Sequence, residues 1–233
     1  FVTDFQNILR CYSIKSGEEL WKIKTDNSFV KSQKKLSLVI SEGKVFFSNS
    51  LGDISAVDIN KGKLIWQTPT QDSSIYESSF QLKTSDLVMA NKSILFSNNI
   101  NEFYSLDAGT GTLIWMQKIN SVVKPTVIDN LIYTVTEEGF LVIIEFDTGN
   151  IIRITNVFDR IKEKKRSKIR PIGFVVGSKN IYLTTNNGRL IVIDISTGKP
   201  VLMIKIDNKN ISRPFVLDKK LFIIKDSAII KLD

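Results

Sequence analysis

Apolar residues along this chain come in short runs broken by turn residues, with no sustained helical spacing. Such runs predict strands. Residues 44–48 are β-branched and aromatic, 49–52 turn the chain, and 54–57 return. Residues 58–62 turn it again, and 64–66 leave as an outer strand. A further strand fits upstream of such hairpins, as at 35–40, 125–128 and 171–176. The prediction is therefore a unit of four antiparallel strands.

The unit repeats. An acid, a glycine four residues later and a tryptophan four beyond that occur as Asp58, Gly62, Trp66 and again as Asp107, Gly111, Trp115. A first copy reads Ser13, Gly17, Trp21; two diverged copies read Glu145, Gly149, Arg153 and Asp194, Gly198, Leu202. A sixth copy reaches its acid at Asp233. The glycines are separated by 45, 49, 38 and 49 residues, a period that signals a solenoid, propeller or array. Four-stranded antiparallel units at this period predict an all-β propeller, with about five blades present in an incomplete ring. Residues 1–233 read as one partial repeat domain, without a linker between domains.

Within each unit the glycine is expected to supply a positive φ, and the acid to accept hydrogen bonds from backbone N–H groups of the turn. Acids recurring at one place in every blade serve structure rather than catalysis. The three tryptophans read as wedges between adjacent blades, where a large apolar plate with one N–H donor suits a partly buried seam. Their loss at Arg153 and Leu202 should leave those seams less tightly tied, with the arginine stem keeping part of the packing.

At these residues the chain resembles the tryptophan-docked, PQQ-like propeller repeats first associated with quinoprotein dehydrogenases. A finer resemblance is to the BamB family of outer-membrane assembly factors, which are eight-bladed periplasmic lipoproteins. It rests on Gly52 to Val57 with Gly62 to Trp66, on the long polar connection from Thr68 to Asp86, and on an ending from Arg213 to Asp233 that stops after the third strand of a blade. Such a blade is normally completed by a strand from the N-terminus. Here the chain opens at Phe1 inside a blade, so a C-terminal portion of a longer protein is expected, with a lipid anchor in the preceding part.

The resemblance implies a non-catalytic scaffold without cofactors, located in the periplasm at the outer membrane. Its partners would be a BamA-type barrel protein and unfolded outer-membrane chains, the latter held by strand addition. The family's docking stretch, Leu-x-Leu-Arg, falls on Val30 to Gln33, where only the first apolar position is kept. A second contact, a pair of aspartates, falls near Lys83 and Ser85, neither of which is acidic. Candidate contacts are thus Phe29, Val30, Ser32, Gln33, Lys83 and Ser85. The alternatives are a generic interaction propeller of another pathway and a quinoprotein dehydrogenase. The enzyme would need oxygen ligands for calcium, a catalytic aspartate, an aromatic floor and, in many members, adjacent cysteines. The chain has one cysteine and no tryptophan outside the docking positions.

Charge changes the picture at one place. Arg160, Lys162, Lys164, Lys165, Arg166, Lys168 and Arg170 face one acid, Glu163, giving +6 of the chain's net +8. This inter-blade loop, about residues 159–170, is a candidate contact for an anionic partner: lipid or lipopolysaccharide phosphates, an acidic protein face or a nucleic-acid backbone. The competing reading is a solvated, mobile charge run. No aromatic residues alternate with the charges, which argues against single-stranded nucleic acid. The absence of histidine excludes histidine acid–base chemistry and, with a lone Cys11, argues against a transition-metal site. No apolar run is long enough to span a membrane as a helix.

Overall fold

The computed structural model describes residues 1–4, 6–25, 36–50, 52–70, 84–98 and 101–232. Among the described residues the strands form six antiparallel sheets. The first holds β1 (Val2–Thr3), β2 (Ile8–Tyr12) and β3 (Glu19–Lys24). The second holds β4 (Leu38–Ser41), β5 (Lys44–Ser48), β6 (Ile54–Asp58) and β7 (Leu64–Thr68). The third holds β8 (Val88–Ala90), β9 (Ser93–Ser97), β10 (Phe103–Asp107) and β11 (Leu113–Gln117). The fourth holds β12 (Thr126–Ile128), β13 (Leu131–Val135), β14 (Phe140–Glu145) and β15 (Ile151–Asn156). After a short helix, α1 (Glu163–Arg166), the fifth holds β16 (Pro171–Val176), β17 (Asn180–Thr185), β18 (Arg189–Asp194) and β19 (Pro200–Lys205). The sixth holds β20 (Phe215–Leu217), β21 (Lys220–Lys225) and β22 (Ala228–Leu232).

Strands pair in chain order within every sheet, as meanders. The sequence predicts about five blades and six sheets form, because the first and the sixth have three strands each. The chain divides into two compact units, Phe1–Val122 and Val123–Asp233, each with three sheets.

Within each unit the core lies between successive sheets, and the two-residue period of a strand divides it. In the second sheet Val45, Phe47 and Val57 pack with Leu9 and Trp21 of the first. Their neighbours Phe46, Ile54 and Ala56 turn the other way and pack with Leu87, Ile94 and Phe96 of the third. Central strands buried on both faces read as unbroken apolar runs, which is why β5, β14 and β18 show no polar alternation. In the second unit Tyr133, Leu141 and Ile143 of the fourth sheet meet Phe174, Ile181, Leu183, Ile191 and Ile193 of the fifth.

The seams follow one plan. Trp21 Nε1–H donates to Ile59 O at 3.1 Å, and the Trp21 ring lies over Gly62, whose φ is +63°. Trp66 Nε1–H donates to Ala108 O at 3.2 Å and its ring lies over Gly111, while Thr68 Oγ1 donates to Gly111 O at 2.6 Å. A Cβ at Gly62 would sit 2.5 Å from the indole of Trp21. Glycine is required twice at this position: for its positive φ and for the face it leaves open to the ring. At the seam of the fourth and fifth sheets, Arg153 does more than pack through its stem. Its Nη1–H donates to Ser196 O at 2.6 Å, so the guanidinium replaces the indole donor. Leu202 has no donor, and beside it a cleft of about 580 Å³ opens between the fifth and sixth sheets.

A bulge recurs one residue before each of these positions. Ala56 pairs with Trp66 but Val57 with Leu64, so Ile65 is the extra residue. The same skip leaves out Leu20, Ile114, Ile152 and Val201. All five bulged residues are exposed aliphatics on the last strand of their sheets. A bulge re-aims the following side chain and blunts an edge against further pairing.

Gly62→Ala should therefore lose about 2–4 kcal/mol, adding overpacking against Trp21 to the positive-φ penalty. Gly17→Ala has the same backbone conformation with nothing within 4 Å, and should lose only about 1–2 kcal/mol. Urea unfolding of the two variants side by side measures the difference.

Candidate interaction surfaces

The recurrent acids are committed to their turns. Asp58 Oδ1 accepts from the N–H groups of Asn60 and Lys61 at 2.9 and 2.7 Å. Asp107 Oδ1 accepts from Thr110 N–H and its hydroxyl, both at 2.8 Å. Asp194 Oδ1 accepts from the Ser196 hydroxyl and from Thr197 N–H and hydroxyl. Glu145 accepts from the Thr148 hydroxyl. At two of these acids the bonds favour the ionised form: the Thr110 hydroxyl foremost holds Asp107 below the usual carboxylate range, and the Ser196 hydroxyl foremost does so for Asp194. A carboxylate stabilised as an anion and facing its own turn is a poor general base.

Elsewhere in the first unit, the Tyr104 hydroxyl donates to Thr70 O at 3.1 Å and contacts the Glu102 carboxylate. Burial, and then Glu102, push its pKa upward, which makes it a structural proton donor. Among the described residues no cluster of histidine, cysteine, aspartate and glutamate could hold a metal ion.

Of the predicted partner contacts, Phe29, Val30, Ser32, Gln33 and Lys83 lie outside the described residues. Ser85 is described, and it is 1% exposed. Its backbone N–H donates to Ser97 O at 2.9 Å and its Oγ accepts from Ser97 N–H at 2.8 Å. Ser85 therefore ties the third blade together, and its side chain is not presented to a partner.

The basic loop is joined to the surrounding backbone through its arginines. Val157, Phe158, Ile161 and Ile169 are buried beneath it. Arg166 Nε–H donates to Ile161 O and Nη2–H to Asp159 O, both at 2.7 Å. Arg170 Nη1–H donates to Ser167 O and Ile169 O at 2.9 and 3.0 Å. Asn186, in the β17–β18 turn, accepts from Arg170 N–H at 2.9 Å and donates to Lys168 O at 3.1 Å. Arg160 Nη1–H donates to Val201 O at 3.2 Å. The planar fork of arginine suits paired backbone carbonyls, whereas lysine remains a hydrated point charge. Lys162, Lys164, Lys165 and Lys168 are exposed, and none forms an ion pair among the described residues.

The cleft beside Leu202 is lined by Leu190, Val192, Ile204, Leu221 and Leu232, with Lys219, Lys220 and Lys231 also contributing. Sequence reasoning did not anticipate it, nor the row of bulged aliphatics. The signal for the row was present: two consecutive aliphatics, as in Leu64-Ile65 and Leu113-Ile114, cannot both follow strict alternation.

The sequence profile of a family described as outer membrane protein assembly factor BamB matches residues 1–155 and 162–233. Among solved structures, BamB from Moraxella catarrhalis is similar at a TM-score of 0.61 and 15% identity, covering 97% of this chain and 78% of that one. The Cps50 (Swd1) β-propeller domain from Myceliophteria thermophila is similar at the same TM-score of 0.61 and 10% identity, covering 80% of this chain and 60% of that one. At these identities the structures share the fold, which is an all-β propeller of antiparallel blades. No curated protein matches.

The turn geometry generates a pH dependence. Asp207 is held down to about 2, first by Lys225, whose Nζ lies 2.5 Å from its carboxylate, and then by Lys209 N–H. A carboxylate with a folded pKa below its unfolded value of about 3.9 contributes stability that is complete well above pH 4 and disappears as pH falls toward the folded value. The urea midpoint should therefore fall between about pH 5 and pH 2, and Asp207→Asn should flatten part of that decline, as unfolding curves across the range would show.

Proposed function

Because the chain belongs to the family of outer membrane protein assembly factor BamB, we propose that it is a non-catalytic interaction scaffold in the assembly of outer-membrane β-barrel proteins. The observation that carries this reading is the match of the family profile to residues 1–155 and 162–233, which spans nearly every repeat. The geometry supports a scaffold over an enzyme. The recurring carboxylates serve their turns, and the chain has no histidine.

In this proposal the protein works in the periplasm, attached to the outer membrane. Its rigid blades hold loops in fixed positions for a BamA-type barrel protein, and the assembly steers unfolded outer-membrane chains. The segment carrying Phe29, Val30, Ser32 and Gln33, with Lys83 from the long connection between Thr68 and Asp86, supplies the contact. Ser85 is left out, since its hydroxyl is held inside the blade. Strand addition by the unfolded client would be restricted along β7, β11, β15 and β19, where the bulges interrupt the outer edges.

Calorimetric titration of the intact protein with the periplasmic repeats of its own BamA-type partner tests the proposal. Saturable binding is expected, and replacing Phe29, Val30, Ser32 and Gln33 together by alanine should weaken it by about tenfold or more. No binding at about 100 μM, equivalent to about −5.5 kcal/mol, would refute the assembly role and leave an interaction propeller of another pathway.

A further inference from the structure

We propose that the loop of residues 159–170 is a fixed docking surface for an anionic lipid bilayer. Three observations converge on it. The first is charge: seven cations face Glu163 within the loop, with Asp159 the one further acid at its start. The second is rigidity. Arg166 and Arg170 close the loop onto its own carbonyls and Asn186 fastens it to the β17–β18 turn, so the four free lysines project from a held backbone. Less ordering entropy is then lost when they meet a surface.

The third observation is the neighbouring apolar surface. Arg160 reaches Val201 O, which brings the loop beside the bulged Val201, itself 51% exposed, and next to Leu202 in the same strand. The strand leading into the loop, β15, exposes Ile152 and Ile154. Cations beside exposed aliphatics match the headgroup boundary of a bilayer, where lysines meet phosphates and aliphatic side chains enter the acyl edge. A nucleic-acid backbone would use the cations and leave the aliphatics in water, and no exposed aromatic side chain in the loop offers a base a stacking surface. The inference stands on the second unit alone and does not depend on the partner proposed above.

The test is co-sedimentation of the intact protein, produced in the cytoplasm so that no acyl anchor is attached, with vesicles of phosphatidylcholine with and without phosphatidylglycerol. Binding is expected only where phosphatidylglycerol is present, and it should weaken sharply between about 0.1 and 1 M salt, as the Debye length falls from about 10 to 3 Å. The variant K162Q/K164Q/K165Q/K168Q leaves the arginine ties intact and should bind at least about tenfold more weakly, since each lysine near an anionic surface contributes about fivefold. The variant K162R/K164R/K165R/K168R keeps the charge and should bind like the parent, which separates charge from any effect of substitution on folding. Equal binding to neutral vesicles, undiminished binding of the glutamine variant, displacement by inorganic phosphate at matched ionic strength, or tighter binding to duplex DNA would each overturn the proposal.

Discussion

The contact between an outer-strand side chain and the turn glycine of the next blade is the constraint on which the structure depends. A blade is too thin to have a core of its own, since its central strands are apolar on both faces. It becomes stable only when a neighbour covers each face, and the seam sets how closely the neighbour approaches. Trp21 over Gly62 and Trp66 over Gly111 fix that distance with a flat ring, and a single N–H donor fixes the register along the seam. The turn must then offer a carbonyl and no Cβ. The acid four residues before the glycine holds the turn in the conformation that offers both.

Divergence at the tryptophan position shows which part of this arrangement is replaceable. Arg153 retains the donor, placing its guanidinium on Ser196 O, and its aliphatic stem and Thr155 occupy the space over Gly198. The donor and the covering of glycine are conserved in physical terms although the ring is gone. Leu202 supplies neither a plate nor a donor, and the adjoining seam is an open apolar cleft edged with lysine. Stability in a repeat array is a sum of neighbour terms, so these seams need not be equally strong.

The same chemistry separates the two kinds of cation in the basic loop. Arginine, with its planar fork and weaker hydration, gives up water readily to bind backbone carbonyls. Arg160, Arg166 and Arg170 are used in that way, which leaves the lysines as the outward charge. A count of charge along the sequence treats the seven cations as equivalent; the structure divides them into ties and free charges.

Residue spacing already specifies the local architecture: the repeat, the hairpins, the positive φ of the turn glycines and the turn role of Asp58, Asp107 and Asp194. These depend on residues within about a dozen positions of one another, where spacing and side-chain type carry the physics. Packing between distant parts of the chain set the carbonyl reached by Arg153, the burial of Ser85 and the fastening of the basic loop to Asn186 and Val201. Trp21 meets its partner 38 residues away and Arg153 meets its own 43 away. Contacts at that distance are set by how one blade lies on the next, a relation that no local pattern of apolar and polar residues encodes.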